Sequence, residues 1–232
     1  MQPTTCAECL SREFSFCSMF RRALEAPHVL APEVRTVAAR RIICREQDVL
    51  VDVPIICSGW ALSAVMLSDG SRQILSFLLP GDIVSAALLF DPKPGCFVES
   101  ITNVTYRTFR RAQLKQLLFS RPDMADRVAR LWIDEKRRAD EMIVDLGRRP
   151  ATERIARLML GLVARLRHRR LANGNEVEFP LRQHHIADAV GLTPVHVSKL
   201  LSDFRRNGLI RLSERSLAIL DMAGLCAVAN MR

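Results

Sequence analysis

The stretch LRQHHIADAVGLTPVHVSKLLSDFRRNGLIRL, residues 181–212, decides the architecture of the end of this chain. Ile186, Ala187 and Val190 fall on one helical face, and Gly191 follows as the residue for a tight turn. The next helix has its own apolar face, formed by Val197, Leu200, Leu201 and Phe204. The sequence therefore predicts two helices joined by a short turn, a helix-turn-helix.

The second of these helices has a clear start. Thr193 is a favoured N-cap residue, and Pro194 occupies the first helical position, where its missing N–H costs nothing. In a helix that begins here, the exposed side chains of the first two helical turns point away from the domain, as they do in a helix that reads base edges in a major groove. We predict DNA contacts, with Lys199 as the specificity contact, at six positions: Thr193, Pro194, Val195, His196, Ser198 and Lys199.

The residues after this helix predict a wing. Two short apolar runs, 209–212 and 216–220, are joined through Ser213–Arg215 and indicate a two-stranded hairpin. Arg215 lies at its tip, and we predict that it contacts a DNA phosphate.

The charge distribution indicates a polyanionic partner for this end of the chain. Residues 148–232 contain 15 Lys and Arg against 7 Asp and Glu, whereas the first 147 residues contain 19 against 18. Basic clusters bind nucleic acid because they neutralise phosphates and release counterions. Two alternatives stay open, a basic surface that is merely solvated and a helix-turn-helix that contacts only protein. The wing and the charge together favour double-stranded DNA.

A heptad pattern predicts a long helix over residues 113–147. Its seam has six members at spacings of four and three: Val128, Trp132, Glu135, Ala139, Met142 and Leu146. The charged flanks favour pairing with a second copy of the chain, and the alternative is a helix that packs on its own β domain. Gly147 and Pro150 end the helix, because a proline disfavours helical geometry in the residue before it.

Short apolar runs separated by turn signals fill the chain between Ile42 and Phe109, and Ser68–Ser71 is the clearest hairpin turn. We predict a small antiparallel β-barrel or sandwich there, with one or two short helices before it over residues 18–41. The expected fold class is α+β in four segments: a cysteine-containing extension over 1–20, a β-barrel over 21–112, a dimerisation helix over 113–147 and a winged helix-turn-helix domain over 148–232.

In this order the segments resemble the cyclic-AMP receptor/FNR (Crp/Fnr) family of bacterial transcription regulators over nearly the whole chain. SGWALSAVMLSDGSRQILSFLLPGDIV, with its Pro80–Asp82 turn, resembles the family's barrel, and GLTPVHVSKLL, 191–201, resembles its recognition helix. The resemblance implies a cyclic-nucleotide-binding-like jelly roll, a homodimer, a palindromic DNA site and activation through RNA polymerase.

The resemblance also locates the nucleotide contacts of the family. Members that bind cyclic AMP hold the ribose with a Glu and the phosphate with an Arg, and the matching residues here are Ala86 and Pro94. Without the Arg, a nucleotide phosphate in a half-buried pocket has no bidentate partner. We therefore expect that this barrel binds no cyclic nucleotide.

Three of the seven cysteines, Cys6, Cys9 and Cys17, cluster near the N-terminus. Thiolates at such spacing bind soft metals, and the resemblance to the FNR branch implies a [4Fe–4S] cluster. That resemblance places the fourth ligand at or beside Arg107, where there is no thiol, and Cys96 is the candidate substitute. The alternative is that the N-terminal cysteines stay reduced and bind no metal.

Two departures from the family pattern affect mechanism. Ala139 stands where FNR has an acidic residue that opposes pairing, so we expect a dimer without a bound cofactor. Val195 replaces the recognition-helix Glu that accepts from a cytosine amino group, and its side chain suits a thymine methyl better.

The predicted function is a homodimeric DNA-binding regulator, an activator by resemblance, that responds to oxygen or redox state. The alternative is a constitutive regulator without cofactor, controlled by its expression level or by thiol oxidation. An enzyme is not expected, because there is no phosphate loop and His184–His185 lies beside no carboxylate pair. No run of about 18 apolar residues occurs and the N-terminus lacks the order of a secretory signal, so we expect no membrane contact and a cytoplasmic protein.

Overall fold

A computed structural model describes residues 32–120 and 122–231 of the 232-residue chain. The chain forms two compact units, one made of the residues up to Leu67 together with Leu75–Arg138, the other of Ser68–Ile74 together with Ala139–Arg232. The predicted N-terminal extension, with Cys6, Cys9 and Cys17, lies outside the described residues.

Up to Arg110, the described residues form seven strands in two antiparallel sheets, ordered β1–β7–β3 and β2–β6–β4–β5. Ile56 opposes Tyr106 in the first sheet, and Ala64 opposes Phe97 in the second. The strands are β1 (Glu33–Val37), β2 (Ile42–Cys44), β3 (Asp52–Ser58), β4 (Ala61–Met66), β5 (Arg72–Leu78), β6 (Phe97–Ser100) and β7 (Val104–Arg110).

The two sheets share one hydrophobic core. Val53 and Ile55 of β3 belong to the same buried cluster as Val98 of β6 and Val104 of β7, and none of the four is more than 2% exposed. Alternate residues of a strand point to one face, so each sheet contributes one apolar face to this core. The expected jelly-roll architecture is confirmed as two facing sheets, and the pairing among the described residues does not close them into a barrel.

One of two local predictions for the β region is wrong, and the other is confirmed. The helices expected over residues 18–41 are wrong for Glu33–Val37, which forms β1 at the edge of its sheet. Residues 18–31 of that prediction lie outside the described residues. The turn predicted at Ser68–Ser71 is confirmed, because Gly70 has φ +82° and the Ser71 N–H donates to Asp69 Oδ1 at 2.8 Å.

Among the described residues, two helices cover the span of the single helix predicted over residues 113–147. They are α1 (Arg111–Ser120) and α2 (Pro122–Arg148), and Pro122 opens the second, as prolines often do at the first helical position. The end of α2 at Arg148 agrees with the stop signal at Pro150. A short 3₁₀ helix, Ala86–Leu89, follows the Pro80–Asp82 turn.

The second unit confirms the winged helix-turn-helix. Its sheet is ordered β10–β11–β9–β8, and Ile155, Ile186, Val197 and Leu217 are at most 1% exposed in its interior. The elements are α3 (Ala151–His168), β8 (Ala172–Asn173), β9 (Glu176–Glu178), α4 (Gln183–Val190), α5 (Pro194–Arg206), β10 (Ile210–Leu212), β11 (Ser216–Ile219) and α6 (Met222–Val228).

Candidate nucleic-acid interface

The recognition helix α5 begins where the sequence predicts. Thr193 has extended backbone geometry, and its Oγ1 accepts the backbone N–H of His196 at 3.2 Å. Pro194 follows at the first helical position. The capping bond satisfies one of the N–H groups that the first turn leaves without an intrahelical partner.

One face of α5 is buried and the other meets solvent. Val197, Leu201 and Phe204 are at most 3% exposed, whereas Val195 is 81% exposed. Ser198 is half-buried, and the remaining predicted contact residues of the helix start are exposed: Thr193, Pro194, His196 and Lys199. The structure therefore brings the six predicted residues to one outward surface, which we call the α5 start surface.

Gly191 makes the turn between α4 and α5. Its φ is +64°, a left-handed conformation that other residues rarely adopt. A Cβ at this position would lie 3.2 Å from Leu146 Cδ2 and 3.5 Å from Arg154 Nη1. The left-handed backbone therefore favours glycine here, and the close approach of Leu146 adds to the cost of a Cβ.

Two arginines anchor α4 from outside the helix, and the sequence reasoning missed both. Arg154 on α3 donates from Nη1 to the carbonyl of Val190, at the C-terminal end of α4, at 2.7 Å. Arg72, in the Ser68–Ile74 segment of the same unit, donates to Asp188 Oδ2 from Nε at 2.9 Å and from Nη2 at 2.7 Å. These bonds fix the helix that precedes the turn.

His185 holds the N-terminal end of α4. Its Nδ1 accepts the backbone N–H of Arg182 at 3.1 Å, as a Glu or Gln does in a capping box. Burial, more than the neighbouring charges of His184, Arg72 and Arg182, lowers the pKa of His185 to about 3. The ring is therefore neutral at physiological pH, which leaves Nδ1 free to accept.

Gln183, the first residue of α4, reaches the α5 start surface. Its Nε2 donates to Ser198 Oγ at 3.1 Å. The two residues are 15 positions apart and lie on different helices. Sequence periodicity contains no signal for this contact, because it depends on how the two helices cross.

The wing contains the predicted Arg215. Strands β10 and β11 pair in register, with Arg211 opposite Ala218. The side chain of Arg215 is 72% exposed, and its Nη2 lies 2.9 Å from Glu178 Oε1. Such exposed ion pairs contribute little stability, so the guanidinium remains available to a phosphate.

The first three residues of the predicted α2 seam contact other residues of their own unit. Val128 is 4% exposed in the core of the first unit, and Glu135 accepts the backbone N–H of Ala86. Trp132 stacks on Phe90 with ring centroids 5.5 Å apart. These three residues therefore pack on the chain's own β domain, which is the alternative to self-pairing that the sequence leaves open.

The other seam residues and a second apolar set complete α2. Ala139 is exposed, whereas Met142 and Leu146 are half-buried. Three apolar residues that the seam does not include are strongly exposed, Ile133 at 56%, Ile143 at 69% and Val144 at 46%. They lie on a helix face rotated by about one residue, or about 100°, from the predicted seam.

Ala86, which the family resemblance assigns to ribose binding, is bonded to another part of the chain. Ala86 is fully buried, and its N–H lies 3.1 Å from Glu135 Oε1 and 3.4 Å from Oε2. Burial is the main cause that raises the pKa of Glu135; nearby Asp82 raises it further, and the Ala86 bond and Arg138 oppose the shift. Pro94 is half-buried and offers no cation.

The two buried cysteines of the described residues, Cys44 and Cys96, are poorly suited as cluster ligands. Cys96 is 7% exposed, and burial raises the pKa of its thiol, which disfavours the thiolate that a metal binds. Burial raises the pKa of Cys44 to about 12, with a smaller effect from Cys96. Arg107, at the expected ligand position, is buried in β7. Within residues 32–120 and 122–231, no three His, Cys, Asp or Glu side chains are grouped as in a metal site.

None of the helices in the described part of the chain combines the length and apolarity needed to cross a membrane.

Comparison with known proteins agrees with this architecture. A cyclic nucleotide-binding domain model matches residues 34–121, and a Crp-like helix-turn-helix domain model matches residues 153–228. Nitrogen fixation regulation protein FixK from Bradyrhizobium diazoefficiens is 30% identical over 97% of this chain and 93% of its own length. Transcriptional activator protein FnrL from Cereibacter sphaeroides is 27% identical over 97% of this chain and 92% of its own.

Solved structures support the same assignment. FixK2 from Bradyrhizobium japonicum superposes with a TM-score of 0.77 at 27% identity, over 86% of this chain and 98% of that one. These relatives are regulators and not enzymes, and the two matched domains span both units of the fold. The chain belongs to the Crp/Fnr family of DNA-binding transcription regulators.

Proposed function

We propose that two copies of this chain bind a palindromic DNA site, with α5 in the major groove, and activate transcription by recruiting RNA polymerase. The observation that carries the proposal is the α5 start surface, which is exposed, capped at Thr193 and backed by a buried apolar face. It lies in the segment with 15 Lys and Arg against 7 Asp and Glu. The activator FnrL supports the sign of regulation, and a DNA target for a member of this family of bacterial regulators implies the cytoplasm.

The contact residues divide by chemistry. Lys199, Ser198 and His196 carry polar atoms for base edges or phosphates, and the exposed methyls of Val195 suit a thymine methyl group. Thr193 and Pro194 lie at the helix start, beside the backbone N–H groups that favour a phosphate. Arg215 on the wing contacts the backbone next to the groove.

The second copy pairs through α2. The exposed side chains of Trp132, Ile133, Ile143 and Val144 form an apolar stripe along this helix, with Ala139 between its ends. An apolar stripe on a long helix is stabilised when a second helix covers it. The pairing face we propose is therefore centred on Ile133 and Ile143. It retains two residues of the predicted heptad seam, Trp132 and Ala139.

Selection from a pool of random duplexes tests the DNA-binding proposal. The wild-type chain is expected to enrich a palindrome, and Lys199→Ala is expected to lose affinity for it. Lys93→Ala is the matched control, since Lys93 is an exposed lysine in the β region. Failure of the wild type to enrich any sequence, or equal binding by the two lysine variants, would contradict the proposal.

We further propose that the β domain binds no cyclic nucleotide. Ala86 and Pro94 lack the groups that cyclic-AMP-binding members of the family use, and the Ala86 N–H at the ribose position is already bonded to the Glu135 carboxylate. Millimolar cyclic AMP is therefore expected to leave the melting temperature and the affinity for the selected duplex unchanged. A rise in either would overturn this part of the proposal.

The redox part of the proposal concerns Cys6, Cys9 and Cys17. Three thiols within 12 residues can close around a soft metal or a [4Fe–4S] cluster, and would make DNA binding depend on oxygen. Cys96 is a weak fourth ligand because its thiol is buried. The competing candidate is a constitutive regulator with reduced cysteines, controlled by expression level or by thiol oxidation.

Iron and sulfide analysis of anaerobically prepared protein separates these candidates. A cluster gives stoichiometric iron and sulfide that Cys9→Ser removes and that Cys226→Ser retains, because Cys226 lies on α6 in the DNA-binding unit. Absence of both elements from the wild type would favour the constitutive regulator.

A further inference from the structure

The contact between Gln183 and Ser198 joins the first helix of the motif to its reading helix. Gln183 Nε2 lies 3.1 Å from Ser198 Oγ and donates to it. Gln183 is exposed and Ser198 half-buried, so the pair lies at the edge of the α5 start surface. Val195, one turn earlier on α5, is 81% exposed on the same side.

The direction of this bond determines whether the Ser198 hydroxyl donates a hydrogen bond to DNA or accepts one from it. A serine hydroxyl has one proton to donate and two lone pairs with which to accept. An unrestrained serine rotates to suit its partner and reads donors and acceptors alike. While the Gln183 amide N–H occupies one lone pair of the Ser198 hydroxyl, the hydroxyl proton turns away from the amide.

We propose that Gln183 is a positioning residue that sets Ser198 as a hydrogen-bond donor toward the base edge. The base that Ser198 reads then carries an acceptor in the major groove, such as a purine N7, guanine O6 or thymine O4. A cytosine, whose major-groove edge carries the N4 amino donor, is discriminated against. This inference rests on the proposed function, because it concerns how α5 reads DNA.

Two substitutions at Gln183 test whether this residue makes Ser198 a hydrogen-bond donor toward the base. Gln183→Ala removes the donor and frees the serine to rotate. Gln183→Glu keeps the shape but makes the partner an acceptor at neutral pH, so the Ser198 proton turns toward the carboxylate and its lone pairs face the DNA. Ser198→Ala identifies the base-pair position that depends on the hydroxyl.

The measurement is the dissociation constant of full-length protein for the selected palindrome and for versions with each base at the Ser198-dependent position. Wild type is expected to disfavour cytosine there by about tenfold, the value of one hydrogen bond. Gln183→Ala is expected to bring this ratio close to one, and Gln183→Glu to favour a base with an amino donor. In a Ser198→Ala background, neither change should alter the ratio.

The ratio of dissociation constants for the different bases distinguishes a positioning role of Gln183 from a phosphate contact or a role in folding. A phosphate contact or a folding defect at Gln183 lowers the affinity for all four duplexes alike and leaves the base preference intact, which would overturn the inference. A Ser198→Ala variant with unchanged preference at every position would also overturn it. Failure of the proposed function is distinguishable, because the wild type then selects no sequence. Melting temperatures of the variants identify any loss of folding.

Discussion

The Glu135 carboxylate on α2 accepts the backbone N–H of Ala86, with 3.1 Å between the nitrogen and Oε1. Four positions later in the chain, Phe90 stacks on Trp132 of the same helix, and Arg111 donates from Nε to the Leu88 carbonyl at 2.7 Å. The 3₁₀ segment that the family resemblance assigns to nucleotide binding is thus fastened to the helices of its own unit.

Removal of this acceptor is expected to destabilise the first unit. Glu135→Ala leaves the buried Ala86 N–H without its acceptor, which costs about 1–2 kcal/mol of unfolding free energy. Glu135→Gln retains an acceptor oxygen without a charge and is expected to cost less. Denaturant unfolding of the two variants measures the difference, and equal losses would contradict a role for this bond.

The pH dependence of Glu135 follows from its raised pKa. Because burial raises the pKa in the folded state, protonation of Glu135 stabilises the fold. Relative to Glu135→Gln, the wild type is therefore expected to gain stability as the pH falls from neutral through the raised pKa, and to lose it as the pH rises. A difference in melting temperature that does not change between pH 8 and pH 5 would be the contrary result.

His185 is expected to make the DNA-binding unit sensitive to acid. Its pKa of about 3 in the folded state is below the ordinary value of 6.5, so the unfolded chain binds the extra proton as the pH falls below 6.5. The loss amounts to about 2 kcal/mol at pH 5, relative to pH 8. His185→Gln, which keeps an acceptor for Arg182 and does not titrate, should abolish this part of the pH dependence in thermal unfolding.

Two glycines in the second unit are expected to respond to alanine in opposite directions. Gly191→Ala forces a left-handed residue with a Cβ 3.2 Å from Leu146 Cδ2, and should cost about 1–2 kcal/mol. Gly161→Ala lies inside α3 with nothing within 4 Å of the added Cβ, and should stabilise the unit by up to about 1 kcal/mol. Chemical denaturation compares the pair, and a Gly191→Ala variant as stable as the wild type would contradict the preference for glycine in the turn.

The exposed stripe of α2 is expected to control dimerisation. Ile143→Glu places a carboxylate in the proposed pairing face and should raise the dimer dissociation constant by on the order of thirtyfold, or about 2 kcal/mol. Arg127→Glu, an exposed position turned by about 120° or more from both Ile133 and Ile143, is the control. Sedimentation of the metal-free protein should give a dimer at micromolar concentration for wild type and control, and a wild-type monomer would contradict the account.

Local signals in the sequence predict the DNA-binding unit well. The start of α5 depends on Thr193 and Pro194 alone, and the turn depends on Gly191, so neighbouring residues suffice to locate them. The β hairpin at Asp69–Gly70 is predictable for the same reason. The wing follows from two short apolar runs with a polar turn between them.

Features set by tertiary contacts could not be predicted in this way. Strand β1 is an edge strand whose first four residues are exposed, so it has no apolar period to detect. The contacts of Val128 and Glu135 on α2 depend on which side of the helix meets the β sheets. Gln183 and Arg154 act on residues 15 and 36 positions away, across helix pairs that periodicity does not describe.

The most direct test of the central claim, that α5 of two paired chains reads DNA, is the affinity for the selected palindrome before and after about five base pairs are inserted between its half-sites. Half-sites about one helical turn apart face the same side of the duplex, and the insertion turns one of them to the opposite side. Fluorescence anisotropy of the wild-type protein should give at least a hundredfold loss of affinity, toward the non-specific level. Equal affinity for both duplexes would contradict the account.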